Sequence, residues 1–131
     1  MSYLCWALPV KPITKIKSLV KSFYFAVAGL AYALRTQRNM KIHLAAALCT
    51  VGFGFRYAVS SVEWLILVVT IMAVIVSELM NTALEAVVDL ASPGIHPLAR
   101  TAKDVAAGAV LISAISAVII GCIIFYPKIF R

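Results

Sequence analysis

Glu78, Asn81, Thr82, Glu85 and Asp89 lie 0, 3, 4, 7 and 11 residues along one stretch of the chain. Those offsets return to one face of a helix, within a sector of about 100°. Downstream, His96, Arg100, Lys103 and Asp104 share one face of the first turns of a second helix. A short turn makes the two helices antiparallel neighbours, so the polar faces are expected to meet at one depth. The expected product is a cluster of carboxylates, one amide and two fixed cations.

Closely spaced carboxylates suit a hard divalent cation such as Mg²⁺, which takes oxygen ligands and substrate phosphates. A nearby lysine suits phosphate oxygens. Glu78 lies nearest the apolar stretch Trp64–Val76, which places it to meet a lipid hydroxyl as a general base. Metal, cation and base are the parts of a phosphoryl-transfer site, where catalysis is mostly positioning and charge stabilisation. No GxxxxGK[ST] and no Gly-rich loop occurs in the sequence, so the P-loop and protein-kinase schemes do not apply. Two other readings compete. The carboxylates could simply pair with Arg100 and Lys103 to hold a bundle together, or Glu78 could be the coupling acid of a small proton-coupled membrane transporter.

The elements that must carry these residues are read from hydropathy. Of 131 residues, 63% are hydrophobic and 13% charged, with a net charge of +7. That is far more apolar than the roughly 45–50% of an ordinary soluble domain and points to an integral membrane protein with one domain. The basic excess fits the positive-inside rule and anionic lipid rather than nucleic acid. Cys5, Cys49 and Cys122 are isolated and read as small apolar residues. Residues 1–13, with Pro9 and Pro12, read as an irregular lead-in with no signal peptide.

From 14 to 36 an apolar stripe, including Leu19, Phe23, Val27 and Leu30, is flanked by Lys17, Lys21 and Arg35; this predicts an amphipathic helix lying in the headgroup plane. Three spans follow, at about 42–59, 62–90 and 98–126. Ser60-Ser61 with Glu63 is an N-cap signal for the second, and Pro93, Gly94 and Pro97 end it. Intramembrane charges cost roughly 2.5–3.5 kcal/mol each, so the polar third of this long helix is expected at or beyond the headgroups. Nine of the twelve Lys and Arg lie before the first span, at its entry, or in the 91–104 turn. This asymmetry places the N-terminus and the polar cluster on the cytoplasmic side.

The segments ELMNTALEAVVDL and HPLARTAKDVAAGAVL, with RNMKIH upstream, resemble the signature of the small prokaryotic lipid kinases, the integral membrane diacylglycerol kinase and undecaprenol kinase family. The resemblance runs from about Lys15 to the C-terminus. It implies an all-α, homotrimeric protein of the bacterial inner membrane, with a surface helix and three spans per subunit. The implied activity is transfer of the γ-phosphate of ATP, with Mg²⁺, to undecaprenol or diacylglycerol. On this resemblance Glu78 is the catalytic base and Glu85 holds the metal. Lys103 and Asp104 contact the nucleotide, Asn81 and Asp89 complete its site, and His96 lies near the adenine. The family often has a second metal-binding glutamate where this chain has Gln37, whose amide oxygen can ligate without adding charge. Ala106, Ala107 and Gly108 would allow close helix approach.

Overall fold

The computed structural model describes residues 15–130; the expected lead-in at 1–13 lies outside the described residues. Four helices account for nearly all of them: α1 (Lys15–Thr36), α2 (Arg38–Arg56), α3 (Ser61–Ala91) and α4 (Pro97–Ile129). The described residues are all-helical, as the sequence predicts, and fall into two units that divide between Tyr32 and Ala33.

The first unit carries most of α1. Leu19, Val20, Phe23, Phe25 and Val27 are exposed on it, so its apolar surface is available to acyl chains or to another protein.

In the second unit α3 packs along α4 and, less extensively, against α2. The α3–α4 pair is antiparallel, and ion pairs at its two ends mark the register. Lys128 Nζ lies 3.2 Å from Glu63 Oε2 where α3 begins; Lys103 pairs with Asp89 where α3 ends. At about 1.5 Å per residue the 31 residues of α3 exceed the roughly 30 Å of hydrocarbon a span needs.

Local sequence explains the helix ends. Ser60 caps α3 in a full capping box: its side chain accepts from the Glu63 N–H while the Glu63 carboxylate accepts from the Ser60 N–H, which satisfies two orphan donors. The break between α3 and α4 is Ser92–His96. His96 then caps α4, its Nδ1 accepting from the Leu98 N–H at 3.2 Å, with Pro97 in the first helical position, where its missing N–H costs nothing.

The end of α2 is less expected. The apolar stretch suggests a helix over 42–59, but α2 starts four residues earlier and stops at Arg56. Ala58 takes the left-handed conformation, φ 47°. The Val59 N–H then donates to Gly54 O and the Ala58 N–H to Phe55 O, a Schellman closure usually built on glycine. Val59 is turned into a buried cluster with Leu67, Ile124 and Phe125, which holds the turn despite the alanine. A left-handed alanine costs about 1–2 kcal/mol. Ala58→Gly is therefore expected to stabilise the protein by about 1 kcal/mol and to raise its thermal midpoint in detergent.

Two of the described helices, α3 and α4, are long and apolar enough to cross a membrane, where the sequence suggests three. The shift in α2 accounts for the difference. Its 19 residues take in Arg38, Asn39, Lys41 and Arg56, and these dilute the apolar run.

Candidate active site

The polar stripe of α3 divides into an inner and an outer group. Glu78, Asn81 and Thr82 are buried in the seam that α3 makes with α2 and α4. Thr82 spends its hydroxyl on its own helix, donating to Glu78 O at 2.9 Å. Glu78 is only 1% exposed, yet neither carboxylate oxygen has a hydrogen-bond partner among the described residues; nor does Asn81 Oδ1. Buried polar atoms are rarely left unpaired, and each costs about 1–3 kcal/mol. Three orphaned acceptors on adjacent turns therefore mark a place that receives a donor or a cation.

They open on a cavity of about 290 Å³. Its polar lining is Glu78, Asn81 and Glu85 from α3 and Asn39 and His43 from α2; Val110 and Ala114 are among the α4 residues that close it. Asn81 Nδ2 donates to Glu85 Oε1 at 3.1 Å. That bond turns the amide oxygen away from Glu85 and fixes the Glu85 carboxylate at the half-exposed mouth.

The outer group is paired. Lys103 donates to the carboxylate of Asp89, and Arg100 Nε lies 3.8 Å from Asp104 Oδ2 on an exposed surface. Ion pairing thus explains the outer acids and leaves the inner ones unexplained. Of the residues singled out in the sequence, Glu78, Asn81 and Glu85 share the cavity. Lys103 and Asp89 meet each other one turn beyond Glu85. Asp104 and His96 are exposed, Asp104 paired with Arg100 and His96 capping α4. Gln37 is the N-cap residue of α2, with no side-chain capping bond, and is absent from the cavity wall.

Asn39 and His43 had no role in the sequence reading. The signal was present in RNMKIH, since Asn39, Ile42 and His43 are spaced as one helix face and all three line the cavity.

A second, larger space of about 480 Å³ adjoins the first. Its walls are apolar, with Val74, Ile75, Ala117, Val118 and Phe125 among them, and it runs toward the other end of the bundle. His43 and Ala114 line both spaces. A carboxylate in a polar chamber therefore stands at the head of a greasy groove.

A family model described as prokaryotic diacylglycerol kinase matches residues 24–125. The chain belongs to the prokaryotic diacylglycerol kinase family. Among the relatives is the undecaprenol kinase of Bacillus subtilis (strain 168), 43% identical over 88% of this chain and 94% of the relative. The diacylglycerol kinase of Synechocystis sp. is also 43% identical, over 84% of this chain and 64% of the relative. That of Escherichia coli (strain K12) is 31% identical, over 86% and 93% respectively. The match takes in the cavity residues of α2, α3 and α4, so this member of the diacylglycerol kinase family has its orphaned glutamate within the shared region. Membership favours the kinase reading over the transporter, which nothing in the family supports.

Proposed function

We propose that the protein transfers the γ-phosphate of ATP to the hydroxyl of undecaprenol or diacylglycerol at the cytoplasmic face of a bacterial inner membrane. That it is a lipid kinase follows from its family. The observation that carries the rest is Glu78, a buried carboxylate with no partner, facing a polar chamber that continues into an apolar groove.

The hydrocarbon of the acceptor lies along the groove, which brings its hydroxyl to the chamber. Glu78 accepts the hydroxyl proton as the oxygen forms its bond to the γ-phosphorus. The bond from that phosphorus to the β-phosphate oxygen breaks, and ADP leaves with the electron pair. General-base action of this kind is worth about 10²–10⁴ in rate.

The donor atoms at the mouth are oxygens, the preference of Mg²⁺, and the orphaned Asn81 Oδ1 leaves one of them unspent. Glu85, its carboxylate steadied by Asn81 Nδ2, would hold the metal, which would neutralise phosphate charge, and Asn81 Oδ1 is left to the nucleotide. Among the described residues no group of three His, Cys, Asp or Glu is gathered to hold a metal. Such a sparse site suits Mg²⁺, which keeps waters and substrate phosphates in its shell. Gln37 remains a candidate ligand only through a change at the start of α2. Lys103, one turn outside, exchanges Asp89 for nucleotide phosphate, and Asp104 and His96 border the nucleotide on the exposed rim.

Three such helices leave much apolar surface uncovered, including Val69, Met72 and Val76 on α3 and Leu111, Ile112 and Ile115 on α4. This exposed apolar surface supports assembly with further copies, a homotrimer on the family resemblance, in which α2 is the third crossing and α1 the surface helix.

The test is transfer of label from γ-labelled ATP into the organic phase, in mixed micelles carrying either undecaprenol or diacylglycerol. Label in one or both lipids is expected; label in neither, with Mg²⁺ present and the protein folded, refutes the reading.

A further inference from the structure

We infer that His43 orients the acceptor: its imidazole holds the lipid hydroxyl against Glu78 at the junction of the polar chamber and the apolar groove. The inference rests on the lipid kinase reading and gives a part in the reaction to α2, whose Asn39 and Ile42 otherwise only line the chamber.

Geometry singles out this residue. The two cavities share only His43 and Ala114. A lipid alcohol with its chain in the groove and its hydroxyl at Glu78 must pass between them. Ala114 offers a methyl group. His43 is half-buried and is the one side chain at that passage able to hydrogen-bond.

No bond of His43 to another described side chain competes for the ring, and Glu78 beyond it is orphaned on both oxygens. A hydroxyl between them serves both residues: it donates its one hydrogen to one Glu78 oxygen and accepts from an imidazole N–H. Acceptance from the ring leaves one lone pair of the hydroxyl oxygen free to bond phosphorus. On α4 nothing titratable lines the chamber, so the cationic or donor role has no second candidate there. Lys103 and Arg100 are engaged outside, with Asp89 and Asp104.

The hydroxyl proton moves to Glu78 and the oxygen bonds phosphorus as ADP departs; His43 keeps its N–H throughout. It fixes direction and exchanges no proton.

Two variants and one readout independent of turnover test this. In the full-length protein, His43→Leu is expected to lower kcat about 100-fold with nucleotide KM within about twofold. His43→Gln, which retains an N–H donor, is expected to recover most of that loss. A lipid alcohol carrying a diazirine on the carbon beside the hydroxyl is then photolysed with the protein, without nucleotide, and the adducts mapped. Adducts on the α2 and α4 segments around His43 and Ala114 are expected in the parent, and their loss in His43→Leu. Parent-like kcat in His43→Leu, an equal loss in His43→Gln and His43→Leu, or adducts remote from these segments would each overturn the assignment. Absence of lipid phosphorylation in the parent would instead strike the lipid kinase reading, and the adduct map would still report on His43.

Discussion

Glu78→Gln is expected to lower lipid phosphorylation by about 10³-fold or more while making the folded protein more stable. The two effects share one cause. The carboxyl is buried with neither oxygen bonded, so the folded state bears a desolvation penalty that ordinary selection for stability would remove. An amide of the same shape is cheaper to bury and cannot act as a base. The amide is left without partners too, so the expected gain is only the difference between burying a carboxylate and an amide there, about 1 kcal/mol. Thermal unfolding in detergent, beside a label-transfer assay, reads both quantities. Loss of activity with loss of stability would make Glu78 a structural residue, and retained turnover would remove it from the base role.

The second large effect is expected at Glu85. Its carboxylate is held by Asn81 at the chamber mouth, and replacement by glutamine keeps the size while deleting the charge. Mg²⁺ affinity is expected to fall at least 10- to 100-fold, since changes one shell further from a metal already cost that much. Saturating Mg²⁺ should restore a large part of kcat, because the acceptor, Glu78 and the groove are untouched. A Mg²⁺ titration of activity and Mn²⁺ binding by electron paramagnetic resonance check the same shift. An unchanged titration would move the metal away from Glu85.

Much of this was legible in the sequence because period and punctuation agree. The i, i+3, i+7 spacing of Glu78, Asn81 and Glu85 puts them on one wall, and the structure keeps them there. Ser60 and Glu63 announce the start of α3, and the capping box forms. The helix-breaking run at 91–97 delivers the antiparallel turn. Other features depend on tertiary placement that a helical wheel does not carry. Lys103 shares a helix face with His96 and Arg100, but the register of α4 against α3 sets it opposite Asp89, short of the inner chamber. The end of α2 was hidden because Ala58 occupies a position where glycine is the usual signal; burial of Val59, not local preference, decides it. The roles of His43 and Asn39 are not legible in the sequence, because hydropathy marks 42–59 as a span without showing which of its faces meets α3; the shared chamber shows it.

Across the site, the placement of Glu78 decides the most, and a hydrophobic carbodiimide interrogates it directly. Such a reagent enters through the apolar groove and forms a stable adduct with a buried carboxyl, which mass spectrometry locates. The arrangement predicts modification of Glu78 ahead of Glu63, Glu85, Asp89 and Asp104, phosphotransfer falling in proportion to that adduct, and slower modification when the lipid alcohol is present. Full phosphotransfer with Glu78 stoichiometrically modified would contradict it.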